Sequence, residues 1–249
     1  MKTSLTSVTF RKKSIEEIVD LVAQAGFDAI EWGGDVHVPP TDPGAAAKAR
    51  ALCEEKGIAV SAYGSYYRCT DEEDFAPVLD AALALGTNII RVWAGRLGSA
   101  ECPAEMRSQL NRNLAKAVAM AAEKGCIVAT EYHPNTLTDD LDSTLQLLAD
   151  VPGLYTYWQP ATSILRAPGF DSYALEKLGK KVINVHVFQR DEKNLKVPMS
   201  EAIDVWVGYV RDLNKFCDVR YGAIEFVIND DAEHFLADAK AFKEILAAV

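Results

Sequence analysis

Six glycines, Gly26, Gly57, Gly86, Gly125, Gly153 and Gly179, each close an amphipathic helical stretch and are followed almost at once by a short β-rich run. Their spacings of 31, 29, 39, 28 and 26 residues are too irregular for a solenoid and suit one βα unit each. Glycine ends helices because it enters the left-handed conformation without a Cβ clash. The helix starts are marked as well: Ser14 precedes Glu17 and Thr70 precedes Glu73 in capping-box spacing, and Asp42 stands before a first-turn Pro43. After Ser14, the residues Ile18, Val19, Leu21, Val22 and Ala25 form one apolar stripe with helical period, which needs a sheet to pack on.

Eight β-rich runs are predicted, near residues 3–9, 29–32, 58–62, 88–93, 127–131, 154–158, 182–187 and 223–226. A helical pattern follows each, the last three beginning near Asp171, Ser200 and Asp231. Eight alternations in 249 residues predict a closed (β/α)8 TIM barrel filling residues 1–249 as one domain, with an open doubly wound sheet as the alternative.

A net charge of -10 argues against a nucleic-acid partner, whose phosphates call for a basic face. No apolar run is long enough to span a membrane, and residues 1–13 lack the pattern of a secretory signal, so a cytoplasmic location is expected. Five scattered cysteines without CxxC spacing fit reduced thiols. Gly33-Gly34-Asp35 is only a weak phosphate-loop candidate, and no nucleotide cofactor is expected.

Four of the β-rich runs end in a polar residue: Glu131, Gln159, His186 and Glu225. Such endings sacrifice burial energy unless the polar groups have something to bind. In a barrel they would lie where strands five to eight meet their following loops, and side chains there converge. Two carboxylates, an imidazole and an amide oxygen suit a divalent metal, Mn²⁺ or Mg²⁺ first, with Zn²⁺ or Co²⁺ as further candidates. The alternative is purely structural: Glu131 and Glu225 paired with Arg91 or Arg190, and His186 a hydrogen-bonded core residue. Trp32, His37, Tyr63, Tyr66, Trp93, His133 and Arg190 also fall at strand ends or in the next loops, where aromatic faces and polar tips suit a sugar ring.

These residues resemble the xylose isomerase-like TIM-barrel family along nearly the whole chain. The resemblance rests on Ala29-Ile30-Glu31-Trp32, Glu131-Tyr132-His133-Pro134, Val185-His186-Val187 and Ile224-Glu225-Phe226. It implies a divalent metal on strands five to eight, held here by Glu131, Gln159, His186 and Glu225. The family's usual strand-six pattern is Asp with His three residues later, whereas this chain has Gln159 and Thr162. The resemblance further implies that Glu131 and Glu225 act as base and acid on carbon next to a carbonyl, in an isomerase or epimerase of a small sugar or polyol ketone working through an enediolate. The same constellation, given a leaving group on the next carbon, would make a lyase or dehydratase. A non-catalytic sugar-binding subunit with a degenerate metal site is the third reading, and a homo-oligomer is compatible with all three. The three-metal nucleic-acid branch of the family needs more histidines than the four present.

Overall fold

In a computed structural model, which describes residues 1–160 and 169–249, eight parallel strands close into a barrel in simple chain order. The strands are β1 (Lys2–Thr6), β2 (Ala29–Gly33), β3 (Ala59–Gly64), β4 (Ile89–Val92), β5 (Ile127–Thr130), β6 (Tyr155–Trp158), β7 (Val182–Val187) and β8 (Tyr221–Ile224). Helices α1 (Ile15–Ala25), α2 (Pro43–Glu55), α3 (Ala76–Leu85), α4 (Ala104–Glu123), α5 (Leu141–Asp150), α6 (Phe170–Leu178), α7 (Ile203–Phe216) and α8 (Ala232–Ala247) surround them. This is the (β/α)8 barrel read from the sequence. Thr162 lies outside the described residues.

The local signals act largely as expected. Ser14 and Glu17 form a full capping box on α1, and Gly26 ends that helix in the left-handed region at φ 59°. Asp42 caps α2, Asp140 caps α5 and Asp231 caps α8. The Thr70–Glu73 pair differs. Its mutual hydrogen bonds close a loop turn, and α3 begins later, at Ala76 with a proline in its first turn.

Two cores result. A large one lies between sheet and helices, and a small one of Ala62, Ile89, Ala129, Tyr157 and Ile183 fills the barrel interior. Two register shifts decide which side chains enter the interior. Between β2 and β3 the pairing passes from Ile30–Val60 to Glu31–Ala62, so β3 has one extra residue at Ser61. Ser61 reaches inward to the Ser4 hydroxyl at 2.8 Å, Ala62 joins the interior cluster, and Tyr63 is thereby turned outward. Between β6 and β7 the pairing passes from Thr156–Val182 to Tyr157–Asn184. Counting back by twos from His186 predicts Val182 as an interior residue. The extra residue instead puts Ile183 inside and Val182 in the outer core, while Asn184 still points inward to the Tyr157 hydroxyl at 2.9 Å.

Candidate active site

At the carboxyl ends of the strands the four polar endings do converge. His186, fully buried on β7, is the centre. Its Nδ1 lies 3.2 Å from Gln159 Oε1, 3.4 Å from Glu225 Oε2 and 3.5 Å from Glu131 Oε1. Ligating atoms of Glu131, His186 and Glu225 all fall within 4.8 Å of one another. Adjacent donors around a six-coordinate Mg²⁺-sized ion are about 3 Å apart, so the Glu131, His186 and Glu225 triad could hold a divalent cation, with the Gln159 oxygen beside it.

On the far side of the ring, Nε2 of His186 is 3.4 Å from Glu31 Oε1. A carboxylate behind a ligating imidazole fixes the ring's orientation and tautomer. Glu31 also accepts from Arg91 Nε at 2.8 Å, and Arg91 Nη1 is ion-paired with Glu131 Oε2. Trp93 Nε1–H donates to the same Glu131 oxygen at 2.8 Å. Arg91 and Glu31 are each only 2% exposed, so neither charge is screened by water. Space for the pair comes from Gly64 on β3, where a Cβ would meet Arg91 Nη2 at 2.5 Å and Glu31 Oε1 at 3.0 Å.

The electrostatics separate the two principal carboxylates. Burial alone would raise both. At Glu131 the Arg91 guanidinium and His186 outweigh it and hold the group well below the usual carboxylate range. Glu225 has no direct guanidinium contact among the described residues. Burial, reinforced by repulsion from Glu131 and only partly offset by His186, pushes it up to about 7. His186 is driven up to about 10, because Glu225, Glu31 and Glu131 together overcome its desolvation. Glu31 stays low despite burial because of Arg91 and His186. With all three carboxylates ionised and His186 neutral, as a metal ligand must be, Glu31, Glu131 and Glu225 against Arg91 leave two uncompensated negative charges in a buried cluster. A divalent ion would cancel them.

A cavity of about 380 Å³ opens above the ring, lined by Glu131, Gln159 and Glu225 and by Tyr66, Trp93, His133 and Arg190. Trp93 stacks on His133 at 4.5 Å and tilts against Tyr66 at 5.4 Å, an aromatic wall on one side of the mouth. Nδ1 of His133 faces the Pro134 carbonyl oxygen at 2.6 Å and donates to it, leaving Nε2 as the free ring nitrogen. Three lining residues that are not glycine, Tyr66, Asn194 and Phe226, hold positive φ values of 60°, 62° and 59°. Backbone strain of this kind gathers at functional sites.

Three of the seven expected substrate contacts lie elsewhere. Trp32 follows the inward Glu31, so strand alternation turns it into the helical layer, where it is fully buried with its ring edge-on to His37 at 6.0 Å. His37 donates from Nε2 to the Lys13 carbonyl oxygen at 3.1 Å. Tyr63, displaced outward by the extra residue at Ser61, donates to the Val38 carbonyl oxygen at 2.9 Å. The ion-pair alternative holds for Arg91 with Glu131. Arg190 instead donates to the Asn194 carbonyl oxygen at 2.9 Å. Glu31 and Arg91 are the members of the buried cluster that the sequence reading leaves outside the site. Glu31 carried a usable signal, since Ala29-Ile30-Glu31 is also an apolar run ending in a carboxylate.

Fold and mouth together define a (β/α)8 protein with a buried, cation-ready cluster at the end of the barrel where catalysis is carried. The chain belongs to the xylose isomerase-like TIM barrel family, whose profile matches residues 19–216. It is 30% identical over 162 residues to a 3-dehydroshikimate dehydratase of Bacillus anthracis, a match covering 61% of this chain and 58% of that relative's length. The crystal structure of the probable 3-DHS dehydratase AsbF from Bacillus anthracis superposes with a TM-score of 0.81 at 21% identity, over 98% of this chain and 99% of that one. D-psicose 3-epimerase from Clostridium cellulolyticum H10 gives 0.72 at 12% identity, over 100% and 99%. No helix among the described residues is long and apolar enough to cross a membrane.

Proposed function

We propose that this protein is a divalent-metal-dependent lyase: a dehydratase that removes water from a small hydroxy-ketone, with 3-dehydroshikimate as the first substrate to test. The observation that carries this reading is the pair of unequal carboxylates on one buried histidine: Glu131 is held ionised by Arg91 and Trp93, and Glu225 is left near neutrality. Groups pushed apart in this way take different parts in acid–base chemistry. The 30% identity to a dehydratase supports elimination over epimerisation.

Glu131, Gln159, His186 and Glu225 would hold the ion, and Mn²⁺ or Mg²⁺ suits their mainly oxygen donors. When bound, the ion supplies Lewis acidity at the substrate carbonyl. Glu225 takes the proton from the carbon next to that carbonyl. The electron pair forms the new double bond as the C–O bond on the following carbon breaks. Glu225 returns that proton to the departing hydroxyl, which leaves as water, and His133, whose Nδ1–H is committed to the Pro134 carbonyl, is placed on the cavity wall to accept a hydrogen bond from the substrate through Nε2. Tyr66 and Trp93 flank the substrate and exclude solvent.

With Mn²⁺ present, 3-dehydroshikimate should yield an unsaturated product absorbing in the ultraviolet. Glu225→Gln should lower kcat by about a hundredfold or more, the usual scale for losing a general base. An epimerase remains the second reading, because paired carboxylates beside one ligating ring also serve proton removal and return on a ketose. Absorbance that stays flat, with exchange of ketose protons into D₂O, would transfer the assignment to that reading. Sugar binding by metal-free protein with neither reaction would leave a binding subunit.

A further inference from the structure

Three guanidinium groups line the cavity among the described residues, and two are already neutralised. Arg91 is clamped between Glu31 and Glu131. Arg11 pairs with Asp35 at 2.7 Å and donates to the Tyr66 hydroxyl at 2.7 Å. Arg190 meets no carboxylate among the described residues. Its one hydrogen bond there, from Nη1 to the Asn194 carbonyl oxygen, occupies a single corner of the fork.

The segment that presents Arg190 is tied down. Arg190 forms a bridge with Lys196, the Val197 N–H donates to the Gln189 carbonyl at 3.1 Å, and Asp191 Oδ1 accepts from the backbone N–H of Lys193 and Leu195. Asn194, held at φ 62°, also lines the cavity. A half-buried cation on a braced turn, aimed into a pocket and left without an anion, is organised for an incoming one.

We propose that Arg190 is a specificity-determining residue that binds a carboxylate on the substrate, so that the site selects hydroxy-keto acids over neutral sugars. This rests on the cavity being the active site of the proposed dehydratase and narrows its substrate class. Of the fork's five N–H donors, four remain after the Asn194 contact, enough for a two-point grip on a carboxylate. A free ketose offers no such group.

The test compares two probes that differ only in the carboxylate, 3,4-dihydroxybenzoate and catechol, titrated calorimetrically into the protein in manganese-containing buffer. The wild type should bind the acid about tenfold more tightly or better, the scale of one charge-assisted contact. Arg190→Gln should erase that preference and leave catechol affinity unchanged, and Arg190→Lys should retain part of it. Equal affinities in the wild type, failure of either probe to bind, or equal weakening of both probes by Arg190→Gln would overturn the proposal. Turnover of 3-dehydroshikimate is scored separately. Carboxylate preference without dehydration keeps Arg190's role and removes the dehydratase, and dehydration without preference does the reverse.

Discussion

The two sides of the barrel mouth solve the problem of buried charge in opposite ways. On the β2–β4 side, Arg91 neutralises Glu31 through Oε1 and extends the pairing to Glu131, although the buried Oε2 of Glu31 has no hydrogen-bond partner among the described residues. On the β7–β8 side, Glu225 has no direct guanidinium partner among the described residues, and His186 is ringed by oxygens of Glu225, Glu131, Gln159 and, through Nε2, Glu31. The first side is charge-settled and rigid, so it can act as a frame. The second is short of positive charge, which is what a metal or a transferable proton supplies. A site built wholly like the first would be inert, and one built wholly like the second would not hold its geometry.

The sharpest way to break this contrast is to remove the frame. Arg91→Met leaves Glu31 and Glu131 buried without their cation, and losing one partner of a buried ion pair costs about 3–5 kcal/mol. Thermal unfolding of the metal-free variant should show that loss. A second substitution, Glu31→Gln, should recover part of it by removing one of the stranded charges. Equal stability of Arg91→Met and wild type would mean that the β2–β4 side is no frame.

A smaller perturbation shifts the frame without discharging it. Gly64→Ala puts a methyl group against Arg91 and Glu31, and overpacking of this kind costs about 1–3 kcal/mol. Because Arg91 must move, Glu131 should shift with it. Manganese affinity measured by calorimetry should therefore fall alongside stability. A loss of stability with unchanged metal affinity would uncouple the two sides.

How much of this was legible in the sequence follows from the same contrast. The barrel could be read because glycines and β-rich runs are local signals, and local signals decide alternation. Glu131, Gln159, His186 and Glu225 could be read because each interrupts an apolar run at its end, on four consecutive strands. Glu31 ends the same kind of run on β2, but its partner Arg91 and the ring behind it, His186, become neighbours only when the sheet closes. Tyr63 and Val182 were misplaced for another reason. Strict alternation has no room for the extra residue at Ser61 or at Ile183, and nothing in either side-chain pattern announces it. Trp32 needed only the parity that an inward Glu31 imposes.

The finest probe of the contrast is the pH dependence of metal binding. Without metal, the buried cluster reaches neutrality by carrying protons on His186, at about 10, and Glu225, at about 7. A cation that takes their place must displace them. Below pH 7 two protons leave per ion, between 7 and 10 only the His186 proton leaves, and above 10 none does. Each displaced proton contributes about 1.4 kcal/mol of apparent affinity per pH unit, so the slope should halve near pH 7 and flatten near pH 10. Stability has the matching sign. Both folded-state values lie above the unfolded ones, so the stabilisation of metal-free protein by protonated Glu225 is lost from about pH 4.5 towards 7, and that from His186 from about 6.5 towards 10. The gap in Tm between manganese-loaded and chelator-treated protein should therefore widen as pH rises from 6 to 10. A gap that stays constant over that range would mean that the ion displaces no proton here, and that Glu225 and His186 are as settled as Glu31 and Arg91.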